Sequence, residues 1–171
     1  MYRLLDKVSP IDGDCGLLCG ARCCTCEDEE MGIYLLPGEE KVFTGDEDWL
    51  IWDWTLAEDY EFPDSWRGKV YFLQCKTPPC CDRALRPLQC RTFPLAPHLE
   101  EDGTLYMIWH SGQLPYSCPL ISRQMTLNPS FIKATYTVWR HLLRDPLIRD
   151  LVELDSMNRL EDGEPVRVLH P

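Results

Sequence analysis

Five cysteines fall within twelve residues, in the stretch Cys15-Gly16-Leu17-Leu18-Cys19-Gly20-Ala21-Arg22-Cys23-Cys24-Thr25-Cys26. Arg22 is the one large side chain between the last four of them. Such a segment has little to bury and no periodicity to follow, but it can wrap backbone around a point and aim sulfurs inward. The chemistry this suggests is a metal or iron–sulfur ligand loop. Half of a disulfide framework and a set of inert buried thiols are the competing readings. A second group, Cys75, Cys80, Cys81 and Cys90, follows a long cysteine-free gap, and Cys118 stands alone before Pro119. The fold must bring the two groups together, or each serves its own site.

The spacing argues against a zinc ribbon, which needs two Cys-x-x-Cys pairs; Cys23-x-x-Cys26 is the sole such spacing here. Instead there are two adjacent pairs, Cys23-Cys24 and Cys80-Cys81. Neighbouring side chains diverge in extended backbone, so adjacent cysteines rarely chelate one ion and better suit polynuclear or paired sites. Ten thiols would fill two four-thiolate sites with two to spare. Zinc and iron–sulfur clusters both take soft thiolate ligands, and the pattern favours iron–sulfur or iron, with zinc as the alternative. Arg22, Arg86 and Arg91 lie within a few residues of cysteines. They could offset thiolate charge or hydrogen-bond to ligands, as cofactor-binding residues, or simply pair with surplus acids.

Other catalytic constellations are poor. His98, His110, His141 and His170 stand at no ligand or triad spacing, and His98 and His110 are expected to cap or line the fold. Neither a nucleophile elbow around Ser111 or Ser117 nor a glycine-rich phosphate loop is present. Whether the chain is an enzyme is left open.

The elements that must position these thiols fit 171 residues, a length suited to one domain that buries about 70% of its unfolded surface without help from a metal. The charge balance, 17 basic against 28 acidic residues for a net −11, argues against nucleic acid and anionic membranes as partners. The N-terminus has no apolar run of signal-peptide length and no later run approaches a membrane span. A cytoplasmic location is expected, where thiols stay reduced and metal binding gains over disulfides.

Ile33–Leu36, Lys69–Gln74 and Leu105–Trp109 read as strands, and Pro37-Gly38-Glu39-Glu40 as a turn or helix start with carboxylates favouring the dipole. Trp49, Trp52 and Trp54 fall within six residues, and core or lid packing is preferred to an exposed binding patch. Asn128-Pro129 starts a helix with Asn as cap, and Phe131, Ile132, Thr135, Val138, Trp139, Leu142 and Leu143 recur at helical spacing. Asp145-Pro146 restarts the pattern with Leu147, Ile148, Leu151, Val152 and Leu154.

At Arg86-Pro87-Leu88-Gln89-Cys90-Arg91-Thr92-Phe93-Pro94, preceded by the N-terminal cluster that reaches Cys23-Cys24, the chain resembles the YkgJ-type cysteine-cluster family. That family is described as a zinc- or iron-chelating domain, and the similarity spans about residues 15 to 120. Related cysteine clusters occur in flagellin lysine methylases, an analogy that would make the chain an enzyme modifying amino or thiol groups. The resemblance implies a metal site built by Cys15, Cys19, Cys23, Cys24, Cys75, Cys80, Cys90 and Cys118. Cys26 and Cys81 are additional to it, and the Cys19 to Cys23 gap is one residue longer than the family's.

The expectation is therefore one small α+β domain over residues 1–160, with a short sheet, C-terminal helices and a cysteine-lined metal site, followed by a loose tail over 161–171. Its function would be metal or iron–sulfur binding for redox or for metal and cluster handling, with a protein redox or interaction partner. The alternative is a non-catalytic, zinc-stapled interaction module presenting the tryptophan segment.

Overall fold

The computed structural model describes residues 1–24, 32–76 and 81–170; Cys26 and Cys80 lie outside them. Its helices are α1 (Tyr2–Leu5), α2 (Leu88–Thr92), α3 (Pro119–Ser122), α4 (Pro129–Leu142) and α5 (Pro146–Glu161). Its strands are β1 (Ile33–Tyr34), β2 (Leu50–Leu56), β3 (Lys69–Cys75), β4 (Leu95–Leu99), β5 (Leu105–Trp109) and β6 (Val168–His170). Short 3₁₀ turns at Cys15–Leu18 and Glu39–Val42 punctuate the first half.

The strands pair into two antiparallel sheets, ordered β1-β3-β2 and β4-β5-β6, where the sequence led us to expect one. The chain is α+β. In the first sheet the register sets Leu50 opposite Cys75 and Trp52 opposite Leu73. In the second, β4 tolerates Pro97 because it is an edge strand and need not donate on its open side. The tail expected to be loose supplies β6 instead, with Val168 opposite Ile108 and His170 opposite Met107. His170 also stacks on Tyr136, ring centroids 4.5 Å apart.

One core draws on all five helices and both sheets, with Phe131, Met107 and Val138 at its centre. The buried face of α4 is Phe131, Thr135, Val138, Trp139 and Leu142, the helical spacing seen in the sequence. Asn128 occupies the N-cap position but makes no side-chain cap bond: its side-chain amide donates to the Ser9 carbonyl (3.2 Å) and to Asp12 Oδ1 (3.2 Å), fastening the N-terminal lead-in to α4. Asp145 does cap α5, accepting from Leu147 N at 2.9 Å. On α5 the buried set is Ile148, Leu151, Val152 and Ser156. Ser156 Oγ accepts from Leu99 N (3.0 Å) and donates to the Val152 carbonyl (2.6 Å), so helix and β4 share a satisfied polar contact.

The tryptophan segment divides between the two readings. Trp52 packs edge-on against Phe43 and Tyr71 in a small satellite core. Trp54 is 49% exposed, with the Lys69 ammonium 4.0 Å from its ring centroid.

Glu39 ties the N-terminal half together. Its Oε1 accepts from Tyr2 Oη (2.7 Å) and from Leu88 N (2.7 Å), and its Oε2 from Leu36 N (3.1 Å). Burial pushes its pKa up, while the bonds from Leu88, Tyr2 and Leu36 pull the other way. Glu39→Ala strands three donors, two of them buried amides, at about 1–3 kcal/mol each. We expect urea denaturation followed by tryptophan fluorescence to show a loss of at least about 3 kcal/mol, with Glu39→Gln intermediate. A change below about 0.5 kcal/mol, the range of ordinary surface substitutions, would show that the network does not hold the fold.

Candidate functional site

The N-terminal cysteine loop is shaped by backbone rather than by burial. Asp14 accepts from Gly16 N at 2.8 Å and starts the 3₁₀ turn that carries Cys15. Gly20 (φ +65°) and Ala21 (φ +54°) are both left-handed, so the chain doubles back and Ala21 N reaches the Gly16 carbonyl at 2.8 Å. A side chain at Gly16 would come within 3.3 Å of the Ala21 methyl, which is why that position has none. The reversal returns Cys23 and Cys24 toward Cys15.

Other elements bring the remaining thiols. Cys75 ends β3, Cys90 sits in the middle of α2, and Cys118 is the cap residue before Pro119 of α3. A cavity of about 910 Å³ is lined by Cys15, Cys23, Cys24, Cys75, Cys81 and Cys90, together with Arg86. Cys19 and Cys118 are not on its wall, but both stand near enough to Cys15 to act on its ionisation. The eight described cysteines are free thiols. Among the described residues, no three His, Cys, Asp or Glu side chains stand close enough to hold a metal ion.

The electrostatics of the wall are set by burial and then by crowding. Cys23 and Cys24 have their sulfurs 3.9 Å apart and in effect share a proton. That hydrogen bond holds Cys24 down to about 6, with Arg86 adding to the effect, and pushes Cys23 well up. Burial, then Cys81 and Cys24, raises Cys75 to about 11; burial, then Cys24 and Cys75, raises Cys90 to about 12. Arg86 donates to Cys81 Sγ from Nε (3.2 Å) and from a terminal nitrogen (3.0 Å). Cys81, additional to the family pattern, is thus the thiol most firmly held. Arg91 also lines the cavity, but its guanidinium is bound to Asp6, to the Tyr2 carbonyl and over the Tyr2 ring, so it anchors α2 to α1.

The far half of the cavity was not foreseen. Tyr34, Trp139, His110, Asp155 and Arg159 line it, drawn from β1, α4, α5 and the end of β5. Phe93 bridges the halves, its ring 6.3 Å from Tyr116 beside the thiols and 5.8 Å from His110. Burial and Arg159 keep His110 below the usual imidazole range, and its Nδ1 is buried with no hydrogen-bond partner. Burial raises Asp155 from 3.8 to about 6, against the pull of Arg159. The sequence marks His110 as a residue lining the fold and Trp139 as part of a helix face, but nothing local brings them together with Tyr34, Asp155 and Arg159, since that convergence is wholly long-range.

Two measurements test this electrostatic picture. In metal-free, reduced protein the fastest-alkylating thiol should titrate near 6, from the Cys23–Cys24 pair. Arg86→Gln should move that midpoint up by on the order of 1 pH unit; an unchanged midpoint would remove Arg86 from the site. A raised Asp155 pKa means that the folded state binds the proton more tightly than the unfolded chain. The stability this gives is present below pH 3.8 and is lost as pH rises to about 6. Asp155→Asn should therefore gain on the wild type in melting temperature across that interval, and a constant difference between the two would contradict the shift. No family model, curated protein or solved structure matches the chain, so the purpose of the cavity is argued from its own residues.

Proposed function

We propose that the thiol wall binds a metal through cysteine thiolates, an iron–sulfur cluster or iron in preference to zinc, in the service of electron transfer or metal and cluster handling. The observation that carries this reading is the convergence of Cys15, Cys23, Cys24, Cys75, Cys81 and Cys90 on one cavity from distant parts of the chain. Soft sulfur donors suit iron–sulfur clusters and zinc alike. Crowded thiols with raised pKa values bind protons tightly, and a cation that replaces those protons relieves the crowding. Arg86 would offset part of the thiolate charge and hydrogen-bond to a ligand sulfur, the role that outer-shell donors play at metal centres. Binding would have to draw the sulfurs closer than they stand. An iron–sulfur group would supply one-electron chemistry; the residues around it would set how well its charge is screened.

The zinc-stapled interaction module is the second reading. Ile51, Trp54 and Leu56 favour it, exposed on β2, an edge strand open to a partner.

Anaerobic purification from iron-replete cells with iron, zinc and acid-labile sulfide analysis separates the two. We expect brown protein that carries sulfide and bleaches with dithionite, and Cys90→Ser or Cys81→Ser to lose most of the metal. Tightly bound zinc alone would favour the staple. Colourless, metal-free protein would overturn both readings.

A further inference from the structure

The two halves of the cavity differ in chemistry, and the half away from the thiols holds a carboxylate, Asp155, that no described residue hydrogen-bonds, although Arg159 acts on its ionisation. Leu151, Asp155 and Arg159 lie four residues apart along α5 and face into it together. Arg159 is engaged by the protein itself. It donates from Nε to Ser111 Oγ (2.9 Å) and from a terminal nitrogen to His98 Nδ1 (3.1 Å), and Glu164 lies 4.0 Å away. Ser111 in turn donates to Glu164 (2.7 Å), and Glu100 stands 3.8 Å from the other nitrogen of His98. Among the described residues none donates a hydrogen bond to the Asp155 carboxylate, although that carboxylate opens onto the cavity and burial raises its pKa. Asp155 is surrounded by protein mass yet keeps its surface open to the cavity, and a perturbed carboxylate in a cleft is a candidate functional group.

The chemistry of the occupant follows from this inventory. An anion would meet Asp155, with Glu164 and Glu100 behind it, and a single guanidinium already committed elsewhere. A purely apolar occupant would strip water from Asp155 and return nothing. A cation that also donates hydrogen bonds satisfies it, and the aromatic side chains Tyr34, Phe93 and Trp139 line the same cavity, surroundings that suit an organic cation. The cavity as a whole, about 910 Å³, is at the upper end of small-molecule sites, roughly 300–1,000 Å³, so a part of it suffices for a small occupant. We propose that this half of the cavity binds a small organic cation whose ammonium or amidinium group donates to the Asp155 carboxylate, beside the thiol wall. The site needs no metal on the cysteines, so it stands or falls separately from the function proposed above.

Benzylamine against benzyl alcohol tests it, because the two differ in the charged donor and little in shape. Titrations of the full chain, metal-free and as isolated, are followed by calorimetry or ligand-observed NMR. We expect benzylamine to bind at least about tenfold more tightly than the alcohol, the difference of about 1.4 kcal/mol that one charge-assisted hydrogen bond readily supplies. Asp155→Asn and Asp155→Ala should each abolish that preference while leaving the alcohol's affinity and the metal content unchanged. Glu161→Gln, on the acidic outer surface, should preserve the preference and so excludes attraction by net charge alone. Equal affinity for amine and alcohol, a preference that survives both Asp155 variants, or one lost equally in Glu161→Gln would overturn the proposal.

Discussion

The Glu39 carboxylate accepts from three separate stretches of chain: Tyr2 of α1, the amide of Leu36 after β1, and the amide of Leu88 at the start of α2. Hydrogen bonds to a charged acceptor are worth about 1.5–3 kcal/mol each, and more is lost when one partner is removed from a buried set. The third of these bonds bears most directly on the cavity, because α2 carries Cys90 two residues beyond Leu88. Arg91 completes the clamp one helical turn further along the same short helix, through Asp6 and the Tyr2 ring. A five-residue helix has no stability of its own, so the position of Cys90 is set by these contacts and by the burial of Leu88 and Thr92.

The legible parts of the fold are those that depend on near neighbours. The apolar spacing from Phe131 to Leu143 and the Asp145 cap describe α4 and α5 because helical periodicity is a local property. The cysteine clusters announce a shared site because their residue type is rare and their spacing dense. What escaped was long-range. Glu39 reads as a first-turn carboxylate serving a helix dipole, and its partners lie 37 and 49 positions away. Asn128 reads as a cap, yet its amide is claimed by Ser9 and Asp12 from the far end of the chain. The last strand looks like a tail because Val168 meets its partner, Ile108, only in three dimensions. Asp155 is one acid among 28 until the cavity picks it out.

The cavity is better regarded as two adjoining environments than as one site. On one side lie sulfurs whose proton affinities are raised by burial and crowding, and lowered at Cys24 by its bond to Cys23 and by Arg86. On the other, a guanidinium held by Ser111 and His98 lies one helical turn from a carboxylate to which no described residue donates a hydrogen bond. Phe93 separates the two while touching groups of both. Such a partition lets each half be filled without the other, and places whatever fills one within reach of the second.

The placement of the indoles has an optical corollary. Trp49 stands on the thiol side of the cavity and Trp139 on its far wall, while Trp54 lies on the outer surface under Lys69. An absorbing centre among the sulfurs would accept excitation energy most efficiently from the indoles nearest it, and an organic guest would change the polarity that the lining indoles sense. The outward indole would report bulk solvent throughout. Of the six indoles, two thus sample the chamber and one the outer surface, while Trp52, Trp66 and Trp109 sit in the packed interior.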